Sequence, residues 1–315
     1  MNGQTPPSPA PSLRKIWFLL TYPTYTLPIA IAPVLIGVAL AIRNGVFAPV
    51  PALAGFVVSW LLHIGGVMLD NHELLRRHPD VIEHPELTEA LKNGTLSYTV
   101  LRVAIACCFV VPALSGPYFL HVAGTPTVLF GLVGFVTAWG YAGAPLAYAR
   151  HISADVIFFL MFGVIAELGT YFVEAASLNG HPWHTLIATP LDVYLVGLPA
   201  GALIVNMMLI DHLRDREPDR RKGWRTGAVR FGPTFIHVET TVLTVFAYLA
   251  PFWFWLGLGF TPWVLLPLVT LPLAVTMTRV ICSEARFQEL FPLAPKVAAL
   301  CFYYSALLAI GLSLH

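Results

Sequence analysis

The chain has 315 residues, 57% of them hydrophobic and only 11% charged. A globular domain carries about a quarter charged residues, so this chain lacks the polar material to coat a soluble particle and reads as a membrane protein. Its 18 basic residues are balanced by 17 acidic ones, which leaves no basic surface for a phosphate backbone and excludes nucleic acid as a partner.

The first fifteen residues form a Pro/Ser-rich polar stretch that reads as a flexible tail. The first apolar run is longer than a signal-peptide core, and no small-residue cleavage site follows it, so it reads as uncleaved. A spanning helix needs about 20 apolar residues. Nine such runs are predicted: Ile16–Ile42, Val50–Leu69, Tyr98–Leu114, Thr125–Tyr141, Ala154–Glu174, Leu191–Ile210, Phe235–Leu256, Pro262–Val280 and Lys296–Leu314. Turn signals separate them, among them Arg43-Asn44-Gly45 and Ser115-Gly116-Pro117. The expected architecture is an all-α polytopic bundle in which residues 16–315 form one domain. Cys107, Cys108, Cys282 and Cys301 fall inside apolar runs without metal-ligand spacing and read as small buried hydrophobes.

Lys and Arg concentrate in the loops after the second, fourth, sixth and eighth runs: Arg76, Arg77, Lys92, Arg150, the cluster from Arg214 to Arg230, Arg286 and Lys296. The positive-inside rule then puts those loops and the N-terminus in the cytoplasm, the C-terminus outside, and the protein in the plasma membrane. Acidic residues collect on the same side. Asp70, Glu73, Asp80, Glu83, Glu86 and Glu89 follow the second run, and Asp211, Asp215, Glu217 and Asp219 follow the sixth.

Asp211 and Asp215 are four apart and share a helix face, where like charges repel unless a cation lies between them. Pro218 does not continue a helix comfortably, which places Asp219 on the loop just beyond, beside Lys222 and Arg225. Carboxylates beside basic residues suit a Mg²⁺-diphosphate group, since Mg²⁺ takes hard oxygen ligands and Arg and Lys neutralise the remaining charge. A solvated loop of surface ion pairs is the alternative. The second cluster favours a site: Asp70, Asn71 and Glu73 put three oxygen-bearing side chains in four residues, and carboxylates at membrane depth are costly and tend to be functional. Six residues are therefore candidates for catalysis and metal binding: Asp70, Asn71, Glu73, Asp211, Asp215 and Asp219. Arg214, Lys222, Arg225 and Arg150 are candidates for holding diphosphate, Arg150 equally readable as an orientation signal. Glu167 and His63 lie inside spans, where ionisable groups usually face the bundle interior. His212 carries no assigned role.

The stretch from Asp211 to Gly232 resembles the second aspartate-rich motif of the UbiA superfamily of intramembrane prenyltransferases, in the form of its 1,4-dihydroxy-2-naphthoate polyprenyltransferase (MenA) branch. Arg214, Asp215, Asp219, Arg225, Thr226, Ala228, Val229, Arg230 and Gly232 stand in register with it. Thr26-Leu27-Pro28 with the segment Ala32 to Gly37 is similar to the branch's opening helix. Tyr141 to Pro145, Phe162-Gly163 and Gly169-Thr170-Tyr171 are similar to its fourth-to-fifth helix region. The chain departs from the pattern in several places. The first motif, Asn-Asp-x-x-Asp in the family, aligns with Asp70, Asn71 and Leu74, with Glu73 one position early. Asp211 stands where the branch carries Asn, and its basic residues near the first helix correspond roughly to Pro23 and Tyr25. The Arg before its third helix falls near Glu89, and an acid near the start of its fifth helix corresponds to Asp155.

The resemblance implies Mg²⁺ as cofactor and a prenyl diphosphate as substrate. Diphosphate would depart and the allylic cation would attack an aromatic acceptor, inside a bundle embedded in lipid. Tyr141, Tyr148 and Tyr171 lie in the family-like segments and are the aromatic residues best placed to line such a chamber. Three readings stand at this point: transfer to an aromatic or quinone-precursor acceptor, cyclisation of the prenyl chain without an acceptor, and a non-catalytic scaffold or transporter.

Overall fold

The computed structural model describes residues 12–78, 85–283 and 290–314. The polar tail therefore lies outside the described residues up to position 11, as do Asp80, Glu83 and Arg286. No strand occurs among the described residues, and the only β-type pairing is an isolated parallel bridge between His151 and Arg225. Eight helical segments are long and apolar enough to cross a membrane: Thr24–Arg43, Pro49–Arg77, Tyr98–Ala123, Ser153–Asn179, Leu191–Arg214, Pro233–Gly257, Pro262–Cys282 and Leu293–Ser313. Thr127–Gly140 is a shorter apolar helix. Together they occupy the positions of the nine predicted runs, and the protein is an integral membrane helical bundle.

The chain begins with α1 (Leu13–Leu20), α2 (Leu27–Arg43), α3 (Pro49–Arg77) and α4 (Pro85–Lys92). The expected first span is thus broken. A proline ring lacks the amide hydrogen a helix needs and pushes the preceding residue out of the helical region, and the chain leaves α1 at Thr21, passes Pro23 and re-enters helix through a short turn at Thr24–Thr26. Asn71 holds this break against α3 by donating its amide to the Tyr22 carbonyl at 2.5 Å. With 29 residues at about 1.5 Å each, α3 is about 44 Å long, well beyond a hydrocarbon core of about 30 Å. Asp70 lies 21 residues past its start, about 32 Å along, a distance close to the thickness of a hydrocarbon core.

Next come α5 (Tyr98–Leu114), α6 (Gly116–Ala123), α7 (Thr127–Gly140), α8 (Ser153–Leu160) and α9 (Ala166–Asn179). A π-helical turn at Met161–Ile165 joins α8 to α9. Such turns add a residue to the helical repeat and turn side chains to new directions, often at functional sites. Here Met161 and Phe162 are turned onto the interior cavity described below.

Two short helices, α10 (Pro182–Ile187) and α11 (Leu191–Leu195), lead to α12 (Leu198–Arg214). Every residue of α12 from Pro199 to Ile210 is buried, because the helix occupies the centre of the bundle with neighbours all round. The close approach is made by small residues, as is usual where lipid offers no hydrophobic drive for helices to associate. A side chain added at Gly201 would meet the Gly163 Cα at 2.7 Å and the Phe159 carbonyl at 2.8 Å. Asn206 adds a polar tie, donating to Thr244 Oγ1 at 2.9 Å on α15.

The chain continues through α13 (Arg216–Lys222), α14 (Gly227–Phe231), α15 (Pro233–Gly257), a 3₁₀ segment at Pro262–Thr270, α16 (Leu271–Cys282) and α17 (Leu293–Ser313). Helix α13 revises one expectation, since Asp219 lies on it and not on a loop. Pro218 sits in the first turn, where a missing amide hydrogen costs no intrahelical bond. The helix ends at Gly223, whose φ of +75° is the left-handed cap geometry that favours glycine.

Replacing Gly201 by Leu is expected to cost about 1–3 kcal/mol of stability, because backbone on both sides must move. Gly131→Leu, where nothing lies within 4 Å, serves as the control. Reversible unfolding in mixed micelles should separate the two variants, and equal stability would contradict this packing.

Candidate active site

Helices α3 and α12 end at the same face of the bundle, and their ends bound the mouth of a cavity of about 210 Å³. One buried water needs about 10–15 Å³ on the same measure, so the space fits a ligand and not merely a solvent molecule. Asp70 and Asn71 reach it from α3, and Asp211, His212 and Arg214 from α12. Asp215 reaches it from the junction beyond, Asp219 and Lys222 from α13, and Trp224 from the loop that follows. Below these the walls turn apolar, with Ile29, Leu62, Met161, Phe162 and Met207.

The charges at the mouth are organised by Arg214. Its Nη1 lies 2.7 Å from Asp211 Oδ1, and its Nε and Nη2 bind the two oxygens of Asp215 at 2.8 and 2.5 Å. The repulsion expected between Asp211 and Asp215 is therefore relieved within the protein itself, by a guanidinium whose fork matches a carboxylate in two places. Tyr25 stands within hydrogen-bonding reach of the same guanidinium. Asp219 is 3% exposed and lies 2.9 Å from Lys222 Nζ. Lys222 in turn sits over the Trp224 ring at 4.1 Å, a cation–π contact that fixes the ammonium at the cavity edge.

Arg150 approaches from another side. Its guanidinium lies 5.7 Å from the Trp224 ring centroid. Its pKa is lowered by burial and by Arg77, while Asp70 and Glu73 act in the opposite sense, so its charge is felt at the carboxylates of α3. Arg225 contributes through its backbone: its amide donates to the Arg150 carbonyl at 2.7 Å, and its carbonyl accepts from Ile152 at 3.1 Å. Its side chain is exposed and is not among the groups lining the cavity. Glu73 is not brought to the mouth either. It pairs with Arg76 at 2.9 Å and with Arg77 at 2.9 Å on the outer side of α3, while Asp70 and Leu74, four apart, face inward together. The i, i+3 proximity of Asp70 and Glu73 holds along the helix, and the two arginines draw the glutamate away.

Tyr141 and Tyr148 line the cavity, whereas Tyr171 lies elsewhere and accepts a hydrogen bond from Asn44 at 3.1 Å. The pKa of Tyr141 is raised well above that of an ordinary phenol, first by burial and then by Asp70 and Asp211, so it remains a neutral phenol with its ring against the chamber. Tyr148 is raised by burial, and its hydroxyl donates to the Thr137 carbonyl at 2.8 Å. Sequence reasoning gave no role to Trp224, Tyr25 or His212, all of which line this cavity. His212 stands with Nδ1 3.5 Å from Asp155 Oδ1, a contact between residues 57 positions apart that no local pattern signals.

Among the described residues no cluster of three or more His, Cys, Asp or Glu side chains forms a ready metal cage. Mg²⁺ that arrives with phosphate needs no such cage. That ion keeps water and substrate oxygens and takes only one or two carboxylates from the protein. Asp70 and Asp211, from two helices at one mouth, supply that number. The arrangement is thus chemically competent to hold a Mg²⁺-diphosphate group between carboxylates and cations, above an apolar chamber.

The chain shares its sequence pattern and fold with known proteins. The UbiA prenyltransferase family model matches residues 30–289. The 1,4-dihydroxy-2-naphthoate octaprenyltransferase of Bacillus subtilis (strain 168) is 23% identical over 316 residues, covering 99% of this chain and 96% of that one. The enzyme of the same name from Mycobacterium tuberculosis (strain ATCC 25618 / H37Rv) is 27% identical over 274 residues, 85% of this chain and 86% of that one. UbiA prenyltransferase domain-containing protein 1 of Homo sapiens is 26% identical over 279 residues, 85% and 76% of the two chains. In three dimensions the solved structure of a digeranylgeranylglyceryl phosphate synthase shares the fold, with a TM-score of 0.54 and 15% identity over 96% of this chain and 98% of that one. From the match over residues 30–289, the chain belongs to the UbiA prenyltransferase family and is a prenyltransferase enzyme.

Proposed function

We propose that the protein is a Mg²⁺-dependent transferase that moves a prenyl group from an allylic diphosphate to a small aromatic acceptor of the dihydroxynaphthoate type. The observation that carries this reading is the pairing of Asp70 and Asp211 across one mouth, with Arg214 and Lys222 beside them and an apolar chamber below. The names of the relatives favour transfer over cyclisation and supply the acceptor class. The distribution of Lys and Arg favours a cytoplasmic opening.

The step is a substitution at carbon. The bond between prenyl C1 and the diphosphate oxygen breaks, and diphosphate leaves with the electron pair. A ring carbon of the acceptor then bonds to C1 and that ring position gives up its leaving group, a proton in the simplest case. Diphosphate leaves poorly unless its charge is neutralised, and cations preorganised at the mouth do this without reorganising water. Mg²⁺, held by Asp70 and Asp211 with Asp215 and Asp219 in support, would add further positive charge on the phosphate oxygens. Lys222 is fixed over Trp224 and held by Asp219, and Arg214 is braced by two carboxylates, so both cations wait in position. The aromatic faces of Tyr141 and Phe162 border the place where an allylic cation would form, and the apolar walls keep water from capturing it.

Purified protein in lipid nanodiscs is to be given geranyl, farnesyl or geranylgeranyl diphosphate with Mg²⁺, with and without 1,4-dihydroxy-2-naphthoate, and the products read by mass spectrometry. An acceptor-dependent adduct lost on chelation of Mg²⁺ is expected. A cyclic hydrocarbon formed without acceptor would overturn the transfer reading, and no diphosphate release from any substrate would overturn the site.

Asp215→Ala should abolish turnover while the protein still folds, and an active variant would contradict the site. Replacing Lys222 by Met should act on stability as well. It removes the Lys222 ammonium that lies 2.9 Å from the buried Asp219, and breaking a buried ion pair costs up to about 3–5 kcal/mol. Unfolding in mixed micelles measures that loss, and an unchanged midpoint would show that Asp219 is charged and satisfied by other groups.

A further inference from the structure

His63 is a polar group of the cavity that the diphosphate chemistry does not use. His63 lies on α3 seven residues before Asp70, two helical turns and about 10 Å deeper, on the same face of the helix. Its surroundings are apolar: Leu62 precedes it, and the Phe162 ring meets the imidazole edge to face at 6.0 Å between centroids. The ring bonds the Thr26 backbone, and Nε2 is buried with no partner. Thr26 already donates its hydroxyl to the Pro23 carbonyl at 3.0 Å, so it offers a ligand no further donor. Ser59, one turn deeper on α3, also lines the cavity.

The Thr26 contact sets the tautomer. A backbone carbonyl accepts, and Nε2 is the ring nitrogen left without a partner, so the hydrogen belongs on Nδ1 and Nε2 offers a lone pair. A buried polar atom without a partner is a cost that a fold does not carry for packing alone. A polyprenyl tail offers no donor to that lone pair, whereas a hydroxylated aromatic ring does. The distance fits as well. A diphosphate held at Asp70 would place prenyl C1 below the mouth, and a ring beside C1 would lie between it and His63, about 10 Å below Asp70.

The geometry points to His63 Nε2 as the acceptor-recognition group of the chamber, receiving a hydrogen bond from a ring hydroxyl of the aromatic substrate, with Ser59 as the neighbouring polar contact. This rests on the transfer reading and adds to it the position and polarity of the acceptor subsite. It also assigns an orientation, with the hydroxyl directed away from the diphosphate and the reacting carbon directed towards it.

The test uses full-length protein in nanodiscs as wild type, His63→Leu and His63→Gln. The KM for 1,4-dihydroxy-2-naphthoate is measured at saturating geranylgeranyl diphosphate and Mg²⁺, and the KM for the diphosphate at saturating acceptor. His63→Leu is expected to raise the acceptor KM at least tenfold and to shift the diphosphate KM by less than twofold. His63→Gln, whose amide oxygen still accepts, should recover most of the loss. The two monomethyl ethers of the acceptor provide an independent readout. One of them should bind the wild type about tenfold more weakly than the parent compound yet bind His63→Leu as the parent does.

An unchanged acceptor KM in His63→Leu, or an equal rise in both KM values, would overturn the subsite. If the wild type releases diphosphate but forms no adduct, the transfer reading fails by itself. Quenching of tryptophan fluorescence by the acceptor then decides the subsite: quenching lost in His63→Leu upholds it, and no quenching in the wild type overturns it. Should His63→Leu fail to fold, the same measurements on His63→Gln and the ether pair on the wild type decide, and two ethers that bind as well as the parent compound would overturn the subsite.

Discussion

The arrangement at the mouth depends on one guanidinium. Arg214 ends a helix buried on all sides, and there it holds Asp211 and Asp215 together against their repulsion. Both carboxylates are partly buried, and the shared guanidinium offsets the repulsion of two like charges four residues apart. With Arg214 in place, Asp211 and Asp215 stand four residues apart at the mouth, each paired with the same guanidinium. Under the proposed function, the same groups would exchange part of that pairing for a magnesium-bound phosphate.

The remaining features position this cluster. The central placement of α12 follows from glycine contacts such as Gly163 with Gly201, and its depth sets where Asp211 emerges. The length of α3 brings Asp70 to the same level, and Asn71 secures that helix to the break before α2. The π turn after α8 swings Met161 and Phe162 onto the chamber wall. The result is a chamber with a charged entrance and an apolar body, which is the polarity profile of a prenyl diphosphate. His63 is the exception on that profile, and its unpartnered nitrogen marks where a polar second substrate would lie.

Much of the bundle was legible in the sequence because the bilayer imposes a length of about 20 apolar residues, which a run such as Leu191–Ile210 meets plainly. What failed were details decided by local backbone chemistry. The run from Ile16 looked continuous because Thr21 to Pro28 is short and half apolar, yet Pro23 breaks it. Pro218 looked like a helix stop and is a first-turn residue, which depends on where the new helix begins. At the candidate site, the i, i+4 spacing marked Asp211 and Asp215 as sharing a face, and the family-like motif identified the loop beyond. Spacing could not tell that Arg76 and Arg77 would turn Glu73 outward, nor that Trp224 would seat Lys222. These are choices among partners, made by rotamers and by contacts between distant segments. Tyr25 with Arg214, and Asp155 with His212, are pairs of that kind.

The most direct measurement is a structure of the protein in nanodiscs with Mn²⁺ in place of Mg²⁺ and a prenyl thiolodiphosphate that resists ionisation. The predicted result is metal density between Asp70 and Asp211, with the diphosphate oxygens towards Arg214 and Lys222 and the prenyl chain descending past Phe162. Metal bound at Glu73 or elsewhere outside the mouth, or a prenyl chain lying on the lipid-facing surface, would contradict the account.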